Sequence, residues 1–492
     1  MQKALRLVIA TAVVAVGDAA ATWAQEKRQV DPVVVTATKI AEPRSQVGAT
    51  VTVITEEELK TYNYVTVDDA LRQVPGLEVQ RSGSIGKLSE IRIRGTSTNQ
   101  VQVLIDGVRV KSPTAGTFDF SDVALSQIER IEVVRGPQST LYGADAIGGV
   151  VHIITKRGEG PFSAFASSEV GNYDTLRERA GFSGRYKLFD YSFGVSWLES
   201  NGQFRNDGSE QRAVSARVGL SLPADGHIGL ALRYNRTKTD LPFDSSTPTP
   251  FSPFFVLDPN ARQQSETMTL SLQWDQKPVE WFETHVRVSG FWNQLGFQDP
   301  ATAADAAIPF NFDATSVTSQ INTTRREAEL LGAFHAGKWN TLTLGVEHVV
   351  DFGRNRSTGF GDPSAFAKEL DNFAYFFQDE LRLFDRVILS AGRRHDDHSE
   401  FGGATTHRAG VVVLVPETAS RVRGSWGEGF RAPTINDLFF PGFANPNLQP
   451  EHSESWEAGV DQSFFAKRVR LGATYFENKF RNLIQFQSVS SA

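Results

Sequence analysis

After about Glu159 the chain alternates apolar and polar residues, segment after segment, and this period of two limits the fold more than any other feature. In LFDYSFGVSW, Phe189, Tyr191, Phe193, Val195 and Trp197 fall on one side, with Asp190, Ser192, Gly194 and Ser196 on the other. The pattern recurs in HIGLALRYN (Ile228, Leu230, Leu232, Tyr234), TMTLSLQW (Met268, Leu270, Leu272, Trp274) and RVRLGATY (Val469, Leu471, Ala473, Tyr475). Successive side chains of a strand point to opposite faces, so each ladder has one apolar and one polar face. Aromatic residues often close the apolar side, as they do in the interfacial girdles of a barrel with lipid outside and a polar lumen. A β-sandwich or propeller also buries one face. Here the polar faces carry Arg, Asp, His and Asn, and long segments such as Asp240 to Gln264 and Gln298 to Ser316 separate the ladders. No repeat of fixed blade length is visible, so an all-β transmembrane barrel is expected. About fifteen strands can be counted over 159–492, an odd number for a single-chain bacterial barrel.

The start of the chain reads as an address. Lys3 and Arg6 precede an apolar run from Leu7 to Val16, and small residues follow up to Ala24. This is the secretory signal pattern, too short for the roughly 20 apolar residues that span a bilayer. Residues 1–24 are expected to be a signal peptide, cleaved after Thr22-Trp23-Ala24 or after Ala19-Ala20-Ala21. The absence of cysteine excludes a disulfide scaffold and a thiolate metal site. A net charge of -7 argues against nucleic acid as a partner.

Between leader and ladders, residues 46–158 read as an α+β domain. Thr55 with Glu58 forms a capping-box pattern, and a second helix is expected from Thr66 until Pro75 and Gly76 stop it. SEIRIRG, VQVLIDG and GVVHIIT supply strands. Ahead of this domain, within 25–45, lies DPVVVTATK. Val33, Val34 and Val35 are strongly β-prone, follow a polar stretch and have no obvious partner strand. A tethered β-prone peptide is suited to adding itself to the edge of another protein's sheet, the alternative being an ordinary first strand of the domain.

Several long segments resemble the TonB-dependent outer-membrane receptors. VDDALRQVPGLEV, IRIRGTSTNQVQVLIDGVRV and IERIEVVRGPQSTLYGADAIGGVVHIITK are similar to the plug of that family, and GFRAPTINDLF and NPNLQPEHSESWEAGV to its barrel signatures. The resemblance runs from about Asp31 to Leu483. It implies a 22-stranded barrel family with an α+β plug inside the lumen, in the outer membrane of a Gram-negative bacterium. It also implies a TonB box at Asp31, Val33, Val34, Val35, Thr36 and Ala37, read by the periplasmic protein TonB and its energising inner-membrane complex. Within the family, VPGLEVQRSGSIGKLSEIRIRGT is most similar to the cobalamin receptors, which implies substrate contacts at Ser82, Leu88 and Ser89, with Ser112 in the next loop. Ser82, Lys87 and Ile85 depart from that branch at the loop tip. The branch binds calcium through acidic extracellular loops; this chain keeps Asp207, Asp240 and Asp244 but clusters fewer acids, and no metal site or cofactor is assigned.

Arg94 and Arg135, in apolar surroundings, would be costly to bury unpaired and are expected to face polar groups of the barrel wall. Gly143 to Gly149 lacks the Lys-Ser or Lys-Thr of a phosphate loop. The haem receptors of the family place a liganding His between two boxes present here, yet TINDLFFPGFA has none. Ferric siderophores remain the alternative to a corrinoid, and the Phe-rich run from Phe251 to Phe255 would suit them. The HDDH run, His395 to His398, reads as a solvated loop rather than a metal site. No nucleophile elbow or HExxH motif suggests an enzyme. The shortfall against 22 strands, and an ending at Ser488 to Ala492 without a terminal aromatic strand, lead to the expectation of a C-terminally truncated chain.

Overall fold

Thr55 opens the first helix as expected. Its hydroxyl accepts from the Glu58 N–H at 3.3 Å while the Glu58 carboxylate accepts from the Thr55 N–H at 2.8 Å. The computed structural model describes residues 33–34, 37–125, 127–242, 260–301, 316–359, 361–442, 444–465 and 468–485. The expected signal peptide, Asp31, Val35, Thr36 and the Phe-rich run at 251–255 lie outside them.

A two-residue bridge, β1 (Val33–Val34) with β2 (Glu42–Pro43), precedes the α+β domain. That domain is built on β3 (Thr50–Thr55), β6 (Val101–Ile105), β7 (Val108–Arg109), β8 (Ile128–Arg135) and β9 (Gly149–Thr155), in the order β3-β8-β9-β6-β7. Only β6 and β9 run parallel. β4 (Leu77–Arg81) and β5 (Ser89–Ile93) form a separate hairpin. Helices α1 (Glu56–Thr61) and α2 (Val67–Leu71) cover one face; α2 ends short of Pro75 because Arg72 already caps it. The core is conventional: Leu71, Ile93, Ile131, Val133, Val151 and Ile153 are completely buried. Asp106 and Gly107, with φ of 48° and 82°, make the tight turn from β6 to β7, a left-handed pair that a two-residue hairpin favours.

Fifteen strands follow, from β10 (Ser163–Gly171) to β24 (Val469–Arg481), each paired antiparallel with its neighbours in sequence. β10 and β24 are the two edges of this sheet among the described residues. One end of the wall carries turns of two to four residues, as at 187–188, 280–281 and 337–339, and the other carries most of the long connections. Burial in the wall is inverted. Leu272, Val288, Leu330 and Tyr375 are 49–54% exposed, while Glu347, Arg394, Asp396 and Arg431 are at most 1% exposed. An apolar exterior with buried ion pairs is stable only if the exterior solvent is hydrocarbon. No helix among the described residues is long and apolar enough to cross a membrane.

The α+β domain sits against the inward face of the wall. Gln211 and Arg233 donate to the carbonyls of Ser121 and Ala124 at 2.7 and 2.9 Å, Gln273 to that of Asp106 at 2.8 Å, and Gln100 to Glu451 at 2.6 Å.

Candidate functional site

Three wall carboxylates, Glu327 and Glu329 on β17 (Val317–Ala336) and Glu347 on β18 (Asn340–Gly359), point inward close together. Such a group cannot stay charged in a buried setting without cations. Two come from the inserted part of the chain. Arg109 on β7 lies 2.8 Å from Glu347 and 3.5 Å from Glu327. Lys39, five residues beyond β1, pairs with Glu329 and stands 3.8 Å from Glu347, its ammonium 5.0 Å over the Tyr142 ring and 4.8 Å over Phe376. Burial pulls the Lys39 amine below its usual range, and the two carboxylates oppose that pull. The wall supplies Arg287, 2.8 Å from Glu327, and Arg394, 2.7 Å from Glu347.

Of the two arginines singled out from sequence, Arg94 meets the wall: it lies 2.7 Å from Glu457 on β23 (Glu451–Phe464) and 4.3 Å over the Phe476 ring. It adopts this pose from the turn after β5, with φ of 52°. Arg135 instead donates within its own domain, to the Pro75 carbonyl at 2.5 Å and the Thr52 hydroxyl at 2.7 Å. Burial and the neighbouring Arg94 pull its pKa down to about 10, against the opposing pull of Glu457 and Asp461 of the wall. Arg109 and Lys39 were not singled out, because one cation looks like another until the facing acids are known.

The β-prone segment has a partner after all. Val33 lies opposite Pro43 and Val34 opposite Glu42, because the chain turns back over 37–41. Proline has no N–H to give, so this ladder is minimal. Ala37 is fully buried. Burial and nearby Glu380 push the Glu42 carboxyl up to about 8, against the opposing pull of Arg382.

At the other end, residues 82–88 form the tip of the β4–β5 hairpin. Ser82 is exposed and its hydroxyl donates to the Leu88 carbonyl at 3.1 Å; Leu88 is 43% exposed. Ser89 is completely buried: its hydroxyl donates to Asp68 and its N–H to Asp119, both at 2.9 Å, so it braces the base of the loop. Ser112 closes its own loop, accepting from the Ala115 N–H at 3.3 Å. Lys87 fastens the tip to the wall. Its ammonium is 3.0 Å from the Asp207 carboxylate and 2.9 Å from the Asp207 carbonyl, and Ser84 donates to the same carboxylate at 2.8 Å. Asp207 is thus occupied by the chain's own cation, and Asp240 faces Arg262 at 3.3 Å.

Residues 200–492 match the family described as TonB dependent receptor-like, beta-barrel, and residues 43–150 match the TonB-dependent Receptor Plug Domain. The chain belongs to the TonB-dependent receptor family. The α+β domain is accordingly the plug of the receptor, and the sheet is the wall of an outer-membrane barrel, its short-turn end periplasmic. The chain is 28% identical to the Vitamin B12 transporter BtuB of Photobacterium profundum over 89% of its own length and 68% of that protein. It is also 28% identical to that of Vibrio vulnificus, over 94% and 72% respectively. By structure it is similar to the alcaligin receptor FauA of Bordetella pertussis, with a TM-score of 0.72, 16% identity, and coverage of 93% of this chain and 75% of that one. These relatives are transporters and receptors, not enzymes.

A cavity between plug and wall is lined by Arg109, Ser112, Tyr142, Asp145, Arg325 and Arg394. At about 80 Å³ it has room for a few waters, not for a corrinoid or an iron chelate. Lys111 beside it is 3.3 Å from Asp145, and burial lowers its amine to about 8. The HDDH run is not a loop. It ends strand β20 (Val387–His398), where alternation splits it: Asp396 is buried against Arg394, while the His395 ring lies 5.4 Å from Tyr375 and accepts or donates at Thr405.

Proposed function

We propose that this receptor imports cobalamin. The observation that carries the reading is the match to two B12 transporters at 28% identity along most of the chain. Ser82 and Leu88, exposed at the plug tip, are the proposed substrate contacts, with Ser112 secondary and Ser89 acting by bracing the loop. The alternative is a ferric siderophore, and the fold it shares with siderophore receptors is compatible with either cargo.

Substrate held on the extracellular side biases the plug so that 31–37, the TonB box, leaves its minimal pairing and adds as a strand to TonB. The energised inner-membrane complex then pulls. The working division is signal peptide 1–24, TonB box and linker 25–45, plug 46–158 and barrel wall 159–492, the wall seated in outer-membrane lipid. Removing backbone N–H groups from the box blocks strand addition without touching the substrate face. Val34→Pro is therefore expected to abolish labelled cobalamin uptake while leaving cobalamin binding to cells unchanged. Loss of both together, or saturable binding of a ferric siderophore in place of cobalamin, overturns the corresponding half of this reading.

A further inference from the structure

The tip of the plug is drawn against the wall by its own backbone and by one ammonium. Gly86, at φ of 84°, brings the tip so close to β13 (Ser209–Leu222) that a Cβ there would overlap the Ser209 hydroxyl. Thr239 on β14 (Gly226–Asp240) donates to the Gly86 carbonyl at 3.1 Å. From this position the Lys87 side chain, 3% exposed, enters the connection 201–208 that precedes β13. Its ammonium meets three oxygens: the Asp207 carboxylate at 3.0 Å, the Asp207 carbonyl at 2.9 Å and the Gly208 carbonyl at 3.3 Å. An ammonium carries three N–H donors, so these acceptors satisfy it.

Two carbonyls and a carboxylate are oxygens that a hard divalent cation also seeks, and calcium is the cation that the resemblance to cobalamin receptors implies for the acidic loops. The residues present do not fit it. Calcium takes about six to eight oxygens, and the Asp207 carboxylate is already spent on the chain itself. Besides Lys87, it accepts from the Ser84 hydroxyl at 2.8 Å through Oδ1, and from the Gln203 and Phe204 N–H groups at 2.6 and 3.3 Å through Oδ2. Asp240 faces Arg262, and Asp244 lies outside the described residues. Among the described residues, the one trio of acidic or histidine side chains whose ligand atoms gather within 4.8 Å is Glu327, Glu329 and Glu347, which Lys39 and Arg109 already balance.

We propose that Lys87 is a built-in replacement for a divalent cation: its tethered ammonium docks the plug tip on the connection 201–208, so that the substrate face is assembled without calcium. The proposal rests on the cobalamin reading in naming that face, while the docking rests on the contacts themselves. A tethered cation need not be captured from solution, so Ser82 and Leu88 are held ready at any calcium concentration.

The test is hydrogen exchange of 82–88 and 201–208 in the full chain, purified in detergent, stripped by a chelator and free of substrate. Protection of both segments is expected to be the same in chelator and in millimolar Ca²⁺. Lys87→Met, which keeps the stem and removes the charge, is expected to speed exchange in both segments at least roughly 10-fold, because it strands a buried carboxylate. Asp207→Asn is expected to act in the same direction. Protection that rises with Ca²⁺ in the unaltered protein, or that is unchanged in both variants, overturns the role of Lys87. Labelled cobalamin binding on the same samples separates the two readings. Binding retained in chelator supports the replacement, and binding that requires Ca²⁺ overturns it. No cobalamin binding in any condition overturns the cargo alone, with exchange still deciding what Lys87 does.

Discussion

The plug and the barrel wall are built from one chain, yet they sort the same residue types in opposite directions. In the plug, Leu71, Ile131 and Val151 are sealed and charges lie at the margin. In the wall, Arg394 and Glu347 are sealed while Leu272 and Trp274 face outward. The difference shows that burial follows the solvent rather than the residue. The plug core is dry because it excludes water on all sides; the wall has hydrocarbon on one side and a polar plug on the other. Where the two regions meet, the joint combines ion pairs and hydrogen bonds with apolar contacts made by Phe291, Leu331 and Phe376 of the wall.

That contrast can be broken at the joint first. Arg109→Ala removes the plug cation that faces Glu347 and Glu327, and leaving buried carboxylates short of a partner costs about 3–5 kcal/mol. Because Arg394 still serves Glu347, the lower end is expected, read as a drop in the urea concentration at which the plug becomes protease-sensitive inside an intact barrel. Next comes the lipid face. On a water-facing surface Leu272→Arg would be nearly neutral, whereas at mid-membrane it is expected to cost about 2–4 kcal/mol of barrel stability in lipid vesicles. A neutral result would mean that this face meets water.

The smallest effect sharpens the plug side. His152 sits on β9, buried, and accepts from the Gly107 N–H at 2.9 Å; burial pulls its pKa down to about 4. A histidine depressed in the folded state contributes stability that is fully present above its ordinary value of about 6.5 and is lost as pH falls toward 4. The plug is thus expected to open more readily between those values, and His152→Gln to remove that step from the pH profile of plug proteolysis. A profile identical in the two proteins would show that His152 is already charged in the plug.

Much of this was legible in residue order alone. Alternation through Phe189 to Trp197 determined a wall of strands and which face is apolar, because a period of two leaves no other arrangement for those side chains. Thr55 with Glu58 determined a helix start, since a capping box acts over a few residues. Partnership across the lumen was not legible. Arg94 and Arg135 look alike in sequence, but one reaches Glu457 across the lumen and the other folds back on Pro75, 60 residues away in its own domain. HDDH reads as a solvated loop and instead ends a strand that splits it, whereas Glu283 and His335, in no motif, stand 3.4 Å apart because β16 (Phe282–Asp299) and β17 are neighbours. Local chemistry is written in the order of residues; the meeting of distant charges is decided by register and curvature, which only the assembled sheet possesses.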